Sequence, residues 1–343
     1  MKPFATIIST IGIAVVAALS SRPALAQAFK SASSTDWAKV VAEARKEGRV
    51  ALYSAAVPAV LNRLKVDFEK LNPGVTVEIT RIVGTQLVSK MDQERDTGAD
   101  GADVAITPET TWVTDRIKQN QLKVPVGPAS GPWPGRYIVA GASPLLAIEP
   151  MVIAYNTNII KFPVNSYEDL LRPEFKGKVA TPDLVATIFM AWYDWLERTR
   201  GPKFLPGLAA QSPKFYPSAV QSTQLLVAGE LLGSTLTVPT IVVPLIAAGA
   251  PIKMVVPASG VIGTPYFGVI AGWSKRPNAA QLLLDYVMSP AGQATWAING
   301  EIASPLPNIA NSLPIAAMTP ADPSKFTPDV AKEYKAKWDK IFK

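Results

Sequence analysis

Neither cysteine nor histidine occurs anywhere in the 343 residues. Without them no disulfide braces the fold, no thiolate or imidazole holds a metal, and no Ser–His–Asp or Cys–His nucleophile can be assembled. Catalysis would fall to carboxylates, lysine, tyrosine or a Ser–Lys pair, and a metal would meet oxygen ligands alone. Charge is also sparse, with 18% Asp, Glu, Lys and Arg and a formal net charge of +7. The nearest approach to a basic patch, Arg172, Lys176 and Lys178, has Glu174 among it, and its aromatics are not interleaved as a nucleic-acid face would want, Phe175 standing alone. A solvated surface explains it better than a nucleic-acid face, and nucleic acid is not an expected partner. Abundant instead are apolar side chains, 48% of the chain, and proline, 31 residues. That length buries a full core and suits about two domains.

Residues Met1 to Ala26 read as a secretory signal. Lys2 gives the charged start, Phe4 to Leu19 an apolar run too short for a span, and Ala24-Leu25-Ala26 a small-x-small cleavage pattern. Cleavage after Ala26 would remove Lys2 and Arg22 and lower the charge from +7 to +5. With no cysteine at that point there is no lipid attachment. The mature chain is expected free in a periplasm.

Beyond it, helical and extended patterns alternate. Trp37, Val40, Val41 and Ala44 recur at helical spacing, with Ser34 or Thr35 to cap the start and Gly48 to end it. Arg49 to Tyr53 is a buried strand, and Pro58 opens a helix carrying Leu61, Leu64, Phe68 and Leu71. Val75, Val77 and Ile79 alternate as a second strand, and Ala102 to Ile106 make a third. Strand–helix alternation of this kind marks a parallel α/β sheet, whose ligands lie beyond the carboxyl ends of the strands. The loops 54–57, 84–86 and 107–109 occupy that edge. Met151 to Tyr155 and Thr181-Pro182-Asp183 open a second α/β unit. Val330, Tyr334, Trp338 and Ile341 share one face of a final helix that packs over a lobe. The acidic turn Asp96 to Asp103 lacks the downstream glutamate of a calcium loop and reads as a solvated turn.

Four segments then resemble the ferric-binding-protein-like branch of the periplasmic solute-binding proteins of ABC importers. They are Leu52-Tyr53-Ser54 with the Phe68-Glu69-Lys70-Leu71-Asn72-Pro73-Gly74 turn, Ala102-Asp103-Val104, Tyr167-Glu168-Asp169-Leu170 through Phe175-Lys176-Gly177-Lys178-Val179-Ala180, and Asn278-Ala279-Ala280 through Ser289-Pro290-Ala291-Gly292-Gln293. The resemblance implies a two-lobed α/β fold of the type II periplasmic-binding class, each lobe a mainly parallel sheet flanked by helices. Residues 27–148 with 266–343 would form one lobe and 149–265 the other, crossed near 148–155 and 265–271. It also implies a non-enzymatic monomer without cofactor, which draws its lobes together on a small-molecule solute and delivers it to an inner-membrane permease.

Where iron-binding members of that family place a tyrosine pair, this chain has Pro239-Thr240, and Thr237 and Thr240 offer only hydroxyls. Hard ferric ion wants anionic oxygen, so direct iron binding is disfavoured, and an organic solute fits better. Ser54, Thr85 and Gln86 sit at helix starts, where free N–H groups favour a carboxylate or phosphonate, and where ordinary capping would also place them. Glu109 could face the cleft or start a helix, and Thr187 is a second-lobe candidate. Tyr155 and Tyr266 lie on the crossing segments, placed to stack on a solute. The expected cargo is a small organic anion. A ferric chelate is the alternative within the family, and an exported enzyme on a similar scaffold is the alternative outside it.

Overall fold

The computed structural model describes residues 28–82 and 85–343; the signal segment lies outside them. The first sheet begins with β1 (Arg49–Ser54), β2 (Thr76–Arg81) and β3 (Val104–Thr107), followed by β4 (Leu122–Lys123), β5 (Ile138–Val139) and β6 (Ser143–Pro150). The second sheet holds β7 (Val152–Asn156), β8 (Val179–Pro182), β9 (Lys214–Tyr216), β10 (Gly233–Thr237) and β11 (Ile252–Val255). The chain then returns to the first sheet with β12 (Val261–Ala271) and β13 (Met318–Pro320).

The first sheet runs β2-β1-β3-β12-β6-β5, with β4 and β13 also on β12. Its β1 pairs in parallel with β2 and β3, while β12 runs antiparallel to β3 and β6. The second runs β11-β7-β10-β8-β9, parallel across β10, β8 and β9 and antiparallel on the β7 side. Both sheets are mixed because each receives a strand that has crossed from the other lobe. The inner strands are nearly all buried, as continuous apolar runs covered by helices on both faces must be.

Local chemistry sets the helix ends. Ser33, one residue before the expected caps, accepts from the Asp36 N–H, and Gly48 closes the same helix at φ 75°, a left-handed turn that glycine takes without steric cost. Pro58 stands in the first turn of the Pro58–Leu71 helix, whose Val60, Leu61, Leu64 and Phe68 are buried. Trp192 and Tyr193 are both core residues of the Thr187–Arg200 helix. In the acidic turn, Asp100 and Asp103 both pair with Arg276, at 2.5 and 2.6 Å, so it is a structural clamp on the helix-bearing segment after β12.

The crossings differ from expectation in two places. Val261 to Gly263 already pair with β13 and with Pro150 of β6, so the second crossing falls in the turn before Val261 rather than at 265–271. There is also a third crossing. The Pro328–Phe342 helix leaves the first sheet after β13 and packs on the second-lobe core, where Trp338 meets Tyr193 and Phe215 at ring separations of 5.8 and 5.1 Å. The span 266–343 is therefore divided between lobes. The cause is the apolar face of that helix, whose aromatic partners include Tyr193 and Phe215 of the second lobe, with Phe326 of the crossing itself on Tyr334.

Candidate functional site: the cleft between the lobes

A cavity of about 350 Å³ draws its walls from both lobes. The first lobe contributes Ala55, Thr85, Pro108 and Glu109, which follow β1, β2 and β3 at their carboxyl ends, as parallel sheets place ligand loops. The second lobe contributes Ala186, Thr187 and Ile188 at the start of one helix. Thr264 and Pro265 of β12 and Pro323 of the third crossing complete the lining. A smaller hollow of about 100 Å³ adjoins it through Glu109, Thr187 and Pro323. Hollows of about 470 and 630 Å³ also indent the surface, but residues of the first lobe alone build them, so lobe movement would not close them.

Two helix starts face this cavity. Glu109 precedes the Thr110–Lys118 helix and Ala186 precedes the Thr187–Arg200 helix, and neither supplies a side-chain cap. Each therefore presents first-turn N–H groups without a side-chain acceptor, at the positive end of its dipole. The Thr85–Thr97 helix brings a third start through Thr85. Glu109 is the charged residue of the lining; it is half-buried, and burial pushes its carboxyl above the ordinary range. Arg81, at the end of β2, lies close by: its Nε donates to the Ala56 carbonyl at 3.0 Å.

The structure thus brings Thr85, Glu109 and Thr187 together on one cavity. Gln86 is exposed beside Thr85 and outside the lining. Ser54 is fully buried and starts no helix; its hydroxyl donates to the Ile106 carbonyl and accepts from the Ala56 N–H. Thr237 is likewise buried, its hydroxyl 2.8 Å from that of Thr223. Tyr155 packs in the second-lobe core on β7, between Gly233 and Lys253 of the neighbouring strands. Tyr266 is buried against Trp296, with ring centroids 5.7 Å apart, and burial followed by the nearby Glu149 charge raises its hydroxyl well above the usual range. Four of the expected contacts, Ser54, Thr237, Tyr155 and Tyr266, therefore have their polar atoms or rings committed inside the fold. The strands that carry them are covered on both faces.

Glu149 was not anticipated. It is buried at the end of β6, directly across the strand pair from Thr264. Thr240 donates to one of its oxygens at 2.5 Å and the Tyr266 hydroxyl to the other at 3.3 Å. Its sequence mark is visible afterwards: it is the one acid in the apolar run Leu145 to Met151.

The family model for bacterial extracellular solute-binding proteins matches residues 49–300, and the chain belongs to that family. It is an extracellular solute-binding protein and not an enzyme. Solved structures share the type II periplasmic-binding fold. A substrate-binding protein of an ABC transporter from Agrobacterium tumefaciens is 16% identical, with 86% of this chain and 94% of that one covered and a TM-score of 0.70. The apo ferric ion-binding protein A of Pasteurella haemolytica is 20% identical, covering 86% and 98% at a TM-score of 0.64. The fructose-6-phosphate-bound periplasmic binding protein AfuA of Actinobacillus pleuropneumoniae is 19% identical, covering 86% and 99% at 0.62. No curated protein sequence matches the chain.

Proposed function

We propose that the chain captures a small organic anion, of carboxylate or phosphonate type, between its lobes and passes it to the permease of its transporter in the periplasm. The observation that carries this reading is the pair of uncapped helix starts, one from each lobe, on a single cavity. An anion placed there accepts N–H groups from both lobes at once, which rewards closure over opening. Thr85 and Thr187 add hydroxyls to the lining, and the exposed Arg81 is bonded to the carbonyl of Ala56, next to the lining residue Ala55. Apart from Glu109 and Thr264, the rest of the lining is apolar, suited to a carbon skeleton.

Ferric ion has little to meet here. Pro239 and Thr240 form the first turn of the Pro239–Ala247 helix, and Thr240 is engaged with Glu149. Thermal-shift screening against dicarboxylates, aromatic acids, phosphonates, spermidine and ferric citrate tests the reading, because a bound solute raises the melting temperature by mass action. Stabilisation by one of the anions is expected. Stabilisation by spermidine or by ferric citrate alone would overturn it.

A further inference from the structure

Glu149 does not line the cavity, yet it links the two lobes beneath it. Its strand belongs to the first sheet, as does Tyr266 on β12, whereas Thr240 belongs to a second-lobe helix. We infer that Glu149 positions the lobes: its carboxyl group clasps Thr240 of the second lobe against Tyr266 of the first, and the clasp favours the drawn-together arrangement when Glu149 carries a proton. The inference rests on the two-lobed fold alone and is independent of the cargo.

Burial sets the direction. The carboxyl is held by two neutral hydroxyls, and among the described residues no lysine or arginine forms an ion pair with it. The charged groups around it oppose ionisation on balance. Glu301, in the segment after the Pro290–Ala297 helix, adds like charge, and its own partner is Arg63 of the Pro58–Leu71 helix. Arg81 of β2 acts on Tyr266. Thr264 opposite on β12 and Thr240 on the second-lobe helix bring no charge. A desolvated carboxylate so placed is costly, and burial raises its affinity for a proton. Protonation keeps both contacts, because the new O–H can donate to the Thr240 oxygen while the other oxygen still accepts from Tyr266.

When the lobes part, Thr240 leaves with its helix and water reaches Glu149, which reverts to an ordinary acid. The drawn-together arrangement therefore binds one proton more firmly than the parted one, and closure takes that proton from solvent. By linkage, acidification shifts the population toward closure.

The absence of cysteine makes the test direct. Spin labels on cysteines introduced at Lys70 in the first lobe and Lys176 in the second, both exposed, report the lobe spacing without any solute. In the otherwise unaltered chain the short-distance population should grow about twofold or more between pH 8 and pH 5. Glu149→Gln should hold one distribution at both pH values, and Thr240→Val should favour the longer distance at both. An unaltered chain with the same distribution at both pH values would overturn the inference, as would a pH shift that survives in Glu149→Gln. Should that variant fail to fold, a full pH shift persisting in Thr240→Val overturns it equally.

Discussion

Two carboxyl groups outside the clasp show how burial turns single residues into measurable pH responses. Glu109 faces a cavity in which we place an anion, so its own charge opposes the cargo. Because burial raises its pKa, it takes a proton above the ordinary carboxylate range, and anion affinity should climb as pH falls toward that range. Glu109→Gln should bind the anion about tenfold more tightly at neutral pH and lose most of the pH dependence, as read by calorimetry. Weaker binding in that variant would mean that the cargo presents a positive group to Glu109. Asp285 is the second case. Its Oδ1 accepts from the Ala129 N–H at 2.7 Å, and a Cβ on Gly127 would fall 2.1 Å from the same oxygen, so glycine permits the close approach. Burial lifts Asp285 from 3.8 to about 6. In that interval the folded state holds a proton that the unfolded state has lost. Stability is thus gained as pH falls through about 6, and the cost is carried at neutral pH. Asp285→Asn keeps the acceptor and removes the charge; it should stabilise the protein by on the order of 2 kcal/mol at pH 7.5 in denaturant titrations, and by progressively less toward pH 4. An equal melting profile at every pH would refute this.

Elements were more legible than contacts. The helix at Pro58 announced itself by proline, spacing and the Asn72-Pro73-Gly74 stop, and β1 by an unbroken apolar run. The short β4, β5 and β13 had no pattern to show, since two or three residues carry no periodicity. Among the site residues, Thr85, Glu109 and Thr187 were readable because they follow strands or open helices on the carboxyl edge. Ser54 and Thr237 misled for the opposite reason. A hydroxyl at a strand end looks available in sequence, but only the fold shows that Ile106 or Thr223 has already taken it. Glu149 was illegible because its partners stand 91 and 117 residues away. The final helix was seen as a helix, but it was assigned with 266–343 to the first lobe, because an aromatic face does not say which aromatic face it meets. Trp338 is almost fully buried there, against Tyr193, Phe215 and Phe342. Trp338→Ala should cost about 3–5 kcal/mol and weaken chiefly the second lobe, which hydrogen exchange resolved by segment would show.

Among the described residues, three crossings join the two lobes, each with its own buried clusters and with Ile262 of β12 packed into the second-lobe one. Two crossings alone would act as a pair of parallel straps; the third, from β13 through Pro323 to the final helix, runs past the cavity and adds Pro323 to its lining. The two lobes need not unfold together, and a solute between them couples their stabilities. Calorimetric scans should show a broad or double transition without solute and a single sharper one when solute is saturating. Two resolved transitions that persist under saturation would place the solute on one lobe only.

Among the described residues, an odd number of crossings also puts Phe29 and the last helix on opposite jaws. Phe29 is anchored in the first-lobe core, and the last helix lies on the second. A donor fluorophore fused ahead of one and an acceptor fused behind the other would ride on different halves of the clamp. Their energy transfer would then report the cargo in real time, making the protein a ready scaffold for a genetically encoded sensor of whatever it carries.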